Sequence, residues 1–172
     1  MKNLFKTFGS SINTRQILTG MAVLLLGSLV YLVDRPPDHT YFVYNNFVNI
    51  SLHNTLPSLF GSIGNSLPAF IHVFSFILIT ASLISCRKKG YLFICLGWFL
   101  VNCVFELGQK FSSLTLKIIP SWFSSIPFME NTRNYFLYGT FDYIDLAAIT
   151  FGAVMAYFVL LITNKNKRRV IL

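Results

Sequence analysis

Charge is scarce in this 172-residue chain: only 12% of its residues are Asp, Glu, Lys or Arg, against about a quarter in an ordinary soluble domain. A water-facing surface of normal polarity cannot be drawn from so few. Cysteine is scarce too. Cys86, Cys95 and Cys103 lie in or beside apolar stretches, with no Cys-x-x-Cys and no zinc spacing, so they read as small core residues. The chain lacks a Gly-rich phosphate loop, a His-Glu-x-x-His helix and a Gly-x-Ser-x-Gly elbow, so the common soluble enzyme chemistries find no support. It also lacks an internal repeat, which argues against an inverted-repeat transporter built from one copy.

What fills the chain is hydrocarbon. Hydrophobic residues make up 54% of it and the mean hydropathy is +0.61. A bilayer core of about 30 Å takes roughly 20 apolar helical residues to cross. Four stretches qualify, at about 17–33, 67–85, 91–106 and 145–162, and predict one all-α membrane domain. The first is too long for a signal-peptide core and is followed by Asp34-Arg35-Pro36-Pro37-Asp38, which offers no small-x-small cleavage site.

The net charge of +8 does not point to nucleic acid, because no basic-aromatic surface is interleaved in the sequence. Lys and Arg number three before the first span, one between first and second, three between second and third, three between third and fourth, and four after the last. The dense groups are Lys2/Lys6/Arg15, Arg87-Lys88-Lys89 and Lys165/Lys167/Arg168/Arg169; the three in the last connection are spread thinly. By the positive-inside rule both termini and the 87–89 turn are expected in the cytoplasm, at the cell membrane. The two remaining connections, 34–66 and 107–144, then face outward. They are rich in aromatics, as in Tyr41-Phe42-Val43-Tyr44 and Trp122-Phe123, and are expected to hold short interfacial or re-entrant helices.

Ionisable groups in membrane helices are costly and tend to mark function. Cys95, Asn102, Glu106 and Gln109 share one face of the third span, and His72, Ser75, Ile79 and Ser82 one face of the second. Glu106 lies about fifteen residues, roughly 22 Å at 1.5 Å per residue, beyond the basic turn. The topology therefore gathers His72, Glu106, Gln109, Asp142 and Asp145 at one depth, as a polar site. Each has a plainer role open to it. The two aspartates can cap a helix N-terminus, His72 can be a hydrogen-bonded imidazole between helices, and Glu106 can pair with Lys110 or Arg133. Ala148, Gly152 and Ala156 form a small face against which another helix can pack closely. Carboxylates suit Mg²⁺ or Mn²⁺, but no complete ligand set is visible and no cofactor is assigned.

Glu106-Leu-Gly-Gln109 closing one span, Gly139-Thr-Phe-Asp142-Tyr-Ile-Asp145 leading into Ala147-Ala148-Ile-Thr-Phe-Gly152, and His72 within Leu67-Pro68-Ala-Phe-Ile-His72 together resemble the VanZ-like membrane proteins. The likeness covers about residues 66–160. Many relatives carry Arg where this chain has Thr140 beside Gly139, so a cation of the acidic site is missing. The resemblance implies a small multi-pass protein of the bacterial cell envelope, in a family whose named member is linked to teicoplanin resistance, and it supplies no reaction. The leading expectation is an outward polar site that engages membrane lipid, a lipid-linked cell-wall precursor or a glycopeptide antibiotic. The alternatives are an intramembrane enzyme using paired carboxylates on a lipid-linked substrate, and an accessory subunit that docks a membrane protein partner through the small face.

Overall fold

The computed structural model describes residues 12–36, 51–53, 55–84, 88–126 and 129–169, with side chains through Asn164. Lys2, Lys6, the Tyr41–Tyr44 run, Cys86, Arg87 and Pro127 lie outside the described residues. All regular structure among those described is helical: α1 (Thr14–Val33), α2 (Leu67–Ile84), α3 (Lys88–Lys110), α4 (Ser112–Ile118), α5 (Thr132–Tyr138) and α6 (Tyr143–Arg169), with 3-10 turns at Gly61–Asn65 and Ser121–Ser125. Four of these helices are long and apolar enough to cross a membrane, namely α1, α2, α3 and the Tyr143–Asn164 portion of α6. This is the all-α, multi-pass membrane architecture the hydropathy predicts.

The span boundaries differ from the sequence reading by a few residues. The third span, expected at about 91–106, starts at Lys88 and runs on past Glu106 to Lys110, with Gly90 inside its first turn. Helix α6 begins earlier than Asp145 because Asp142 supplies its cap, with Oδ1 accepting the Ile144 N–H at 2.9 Å. Prolines delimit the others. Pro36 follows α1, while Pro68 occupies the first turn of α2, where a missing N–H costs nothing.

Helix α2 is the most enclosed span and packs against α1, α3 and α6. The core joins Val73, Phe74, Ile77, Leu78 and Ala81 of α2 to Tyr91 and Cys95 of α3 and Ile149, Ala153, Ala156 and Leu160 of α6. Between helices in lipid there is little hydrophobic drive, so close fit supplies the attraction. Glycine permits that fit. A Cβ at Gly20 would lie 3.1 Å from the Ser75 carbonyl, and one at Gly27 2.9 Å from an Ile71 methyl. The Ala148/Gly152/Ala156 face is filled by the chain's own α2. A Cβ at Gly152 would lie 2.5 Å from Val73 Cγ1 and 2.8 Å from the Phe70 carbonyl oxygen, and Ala156 is fully buried. Outward-facing Leu18, Leu25, Phe93, Leu100, Val104, Phe151 and Phe158 leave an apolar girdle for acyl chains.

The described part of the first connection holds one 3-10 turn, and the second holds short helices. In the second, α4, the Ser121–Ser125 turn and α5 fold back toward α3. In the first, Asp34 anchors the approach to the Gly61–Asn65 turn: Oδ1 accepts the Leu59 N–H at 2.9 Å, and Oδ2 accepts the Phe60 N–H at 2.8 Å and the Ser58 hydroxyl at 3.0 Å. Gly61, at φ +54°, makes the left-handed step there. Desolvation opposes the charge on Asp34, but these donors outweigh it and hold the carboxyl below its ordinary value. A depressed carboxyl stabilises the fold above its unfolded value of about 3.9, and that contribution disappears as pH falls through the folded value. Hydrogen exchange of the Leu59 and Phe60 amides should therefore accelerate on going from about pH 6 to about pH 3 after correction for intrinsic rates. Asp34→Asn should remove most of that pH dependence; equal protection in both proteins at both pH values would refute the anchor.

Candidate polar cavity

At the end of the bundle where α1 and α3 stop and α2 and α6 begin, the helices splay around a cavity of about 900 Å³. Its lining includes all five residues singled out from the sequence: His72, Glu106, Gln109, Asp142 and Asp145. Each arrives from the end of a span, which is how a chain so poor in charge concentrates polar groups in one place.

The two sequence motifs interlock here. Glu106, only 7% exposed, accepts the Asp142 backbone N–H on Oε1 at 3.1 Å and so ties the start of α6 to α3. Two residues on, Gly108 leaves room for the Phe136 ring, 2.6 Å from where a Cβ would sit. Gln109 hydrogen-bonds Tyr135 and lies against Gly139, where a Cβ would come 2.7 Å from the Gln109 amide carbon and 2.5 Å from the Tyr135 carbonyl oxygen. Glu-Leu-Gly-Gln is thus a mating surface for α5 and the α6 cap as well as a source of polar lining. Burial is the main cause of the upward shift of the Tyr135 phenol to about 12, against the pull of the Gln109 hydrogen bond and helped by the nearby Glu106 carboxyl. Tyr135 is therefore a neutral hydrogen-bonding group, not a base.

The two aspartates divide their work. Asp142 caps α6, as one of the plainer readings held. Asp145, in the first turn of the same helix, is hydrogen-bonded by the Ser66 side chain, while its buried Oδ1 has no hydrogen-bond partner among the described residues. Glu106 does not meet Lys110 or Arg133. Lys110 donates to the Tyr143 hydroxyl at 3.1 Å and lies over the Phe141 and Tyr143 rings, and Arg133 is solvent-exposed and off the cavity lining.

His72 belongs to a column of rings. Tyr31 stacks on it at 6.2 Å between centroids and Phe76 at 5.9 Å; Phe76 in turn stacks on Trp98 at 4.8 Å, whose Nε1 donates to the Thr80 hydroxyl at 3.0 Å. Capping the column is Arg35, with its guanidinium carbon 5.1 Å from the Tyr31 ring centre and Nη2 donating to the Asn65 carbonyl at 2.8 Å. Arg35 lines the cavity and acts electrostatically on Asp145 and His72.

No family model, curated protein or solved structure matches the chain. Its chemistry rests on the site alone. Among the described residues no three His, Cys, Asp or Glu side chains converge as metal ligands.

Sequence reasoning missed Arg35, Tyr31 and Tyr135 on the lining. A signal for the first pair existed. Tyr31 and Arg35 are one helical turn apart, and Arg35 is the sole cation between the first two spans.

Proposed function

We propose that this chain is a VanZ-like membrane protein of the bacterial cell envelope, whose polar cavity engages a lipid, a cell-wall precursor or a glycopeptide antibiotic on the outer face. The observation that carries the reading is the cavity itself: about 900 Å³, walled by four carboxylates, an imidazole, five side-chain amides and a guanidinium. That size lies within the range of roughly 300–1,000 Å³ usual for ligand pockets. Its motifs, Glu106-Leu-Gly-Gln109 and Gly139 to Asp145, are those that carry the family likeness. Orientation follows from charge density. With the basic 87–89 turn and the 165–169 tail drawn to the cytoplasm, both termini are inside and the cavity opens outward.

The test is expression of the wild type, Glu106→Gln and Asp145→Asn in a susceptible Gram-positive host at matched membrane levels, with the minimum inhibitory concentration of teicoplanin as the readout. The wild type should raise it and either isosteric change should abolish the rise; a wild type without effect would remove the glycopeptide link.

One observation favours a second reading, an intramembrane enzyme acting on a lipid-linked substrate. Asp145 Oδ1, buried without a partner and on the same cavity as Glu106, is placed as a base or acid would be. Turnover of a lipid-linked precursor by purified protein would distinguish it from simple binding.

A further inference from the structure

The cavity is not uniformly acidic. The start of α6 and the end of α3 bring Glu106, Asp142 and Asp145 to the lining, and the segment just past the end of α1 brings Asp34 and Arg35; the Asp34 carboxylate is taken up by Ser58, Leu59 and Phe60, which leaves Arg35 as the charge that segment offers. Arg35 acts on Asp145 electrostatically, yet the two do not close into an ion pair. The guanidinium holds the Asn65 carbonyl and the Tyr31 face, which leaves N–H donors over, and Asp145 Oδ1 has no partner among the described residues. Opposite charges held apart forgo attraction, and a buried acceptor without a donor is costly. Both debts are cancelled by one kind of occupant, a molecule that presents an anion to the guanidinium and N–H donors to the carboxylates.

Resting on the reading above that the cavity is a binding site, we infer that it takes a zwitterionic headgroup in which a phosphate and a primary ammonium are joined by a short linker, as in a phosphoethanolamine lipid. Guanidinium meets phosphate through parallel N–H donors, a geometry that suits Arg35. A primary ammonium brings three donors and can satisfy Asp145 Oδ1 together with a second acceptor among the neighbouring carboxylates; a quaternary ammonium brings none. The His72 and Tyr31 rings form a further part of the lining. Because the cavity opens among the ends of membrane helices within an apolar girdle, a lipid can deliver the headgroup with its acyl chains remaining outside.

The experiment uses the full chain in nanodiscs of phosphatidylglycerol doped with equal fractions of phosphatidylethanolamine or phosphatidylcholine, and reads thermal unfolding together with the lipid retained in native mass spectrometry. Phosphatidylethanolamine should be retained over phosphatidylcholine by at least about tenfold, the scale of one charge-assisted hydrogen bond, and should raise Tm. Soluble glycerophosphoethanolamine should compete if the headgroup alone is recognised, and fail to compete if acyl chains are required; in both cases it is the preference for the amine that supports the inference. Asp145→Asn should erase the preference for the primary amine while retaining phosphate recognition, and Arg35→Gln should weaken retention of both lipids. Monodisperse size-exclusion profiles check that each variant folds, and Arg35→Lys, which keeps the charge, replaces the glutamine variant if that one does not. Equal retention of the two lipids by the wild type, or a preference unchanged in folded Asp145→Asn, overturns the inference. A teicoplanin effect without an amine preference sinks the headgroup assignment and leaves the broader reading standing; an amine preference without the teicoplanin effect keeps the headgroup assignment and removes only the glycopeptide link.

Discussion

Gly152→Leu is expected to deprive the chain of a folded, monodisperse state in detergent. The cause is local and severe. At Gly152 even a methyl group would sit 2.5 Å from Val73 Cγ1 and 2.8 Å from the Phe70 main-chain oxygen, and the latter belongs to a helix that cannot yield as a flexible side chain can. Overpacking of this kind typically costs about 1–3 kcal/mol, and a leucine against backbone lies at or beyond the top of that range. Alanine should be milder but still harmful. If α6 moves off α2 to make room, Asp142 and Asp145 move with it, since they lie two to three turns earlier on the same helix. Fluorescence-detected size exclusion and a thermal scan of wild type, alanine and leucine variants give the check; a leucine variant with the wild-type Tm would mean that this helix pair is not packed as described. The packing also changes what this substitution can mean. It cannot serve as a probe for docking of a second protein, because its first effect is on the chain's own α2.

Glu106→Leu should destabilise the protein by about 1–3 kcal/mol, the penalty for stranding a partly buried N–H, whereas Glu106→Gln should fold nearly as the wild type does. Glutamine keeps a carbonyl oxygen where Oε1 accepts the Asp142 N–H; leucine does not. The two variants thus separate positioning from charge. Hydrogen exchange at the Asp142 amide should accelerate strongly in the leucine variant and little in the glutamine one. Loss of function in both, with loss of stability only in leucine, would assign the negative charge to the cavity's chemistry and the hydrogen bond to its architecture. Equal destabilisation would show instead that charge, not the hydrogen bond, holds the start of α6.

The spans were legible because hydropathy over about 20 residues is a strong signal, and the depth of the polar groups followed from the 1.5 Å rise of a helix. That arithmetic is why His72, Glu106, Gln109, Asp142 and Asp145 do line one cavity. Their partners were not legible. Glu106 was matched with a cation because sequence displays side-chain charges and conceals backbone donors, yet its partner is a peptide N–H. Arg35 is hidden for a different reason: as a topology count it is merely one Lys or Arg on a sparse loop, and only folding brings it onto the cavity that Asp145 also lines. The role of Gly108 and Gly139 as space for Phe136 and Gln109 likewise depends on which loop returns to which helix, information that no local periodicity carries.

The tie between α3 and α6 leaves residue 142 through its main chain. Every amino acid except proline owns that donor, so the contact places almost no restriction on which residue is inherited at 142, while at 106 it demands an acceptor of a particular reach. Lineages descended from this chain can therefore drift at one end of the bond and are held fast at the other; the hydrogen bond alone lets position 142 vary among residues able to cap a helix and admits Glu or Gln at 106, and the charge the cavity uses narrows that choice to Glu.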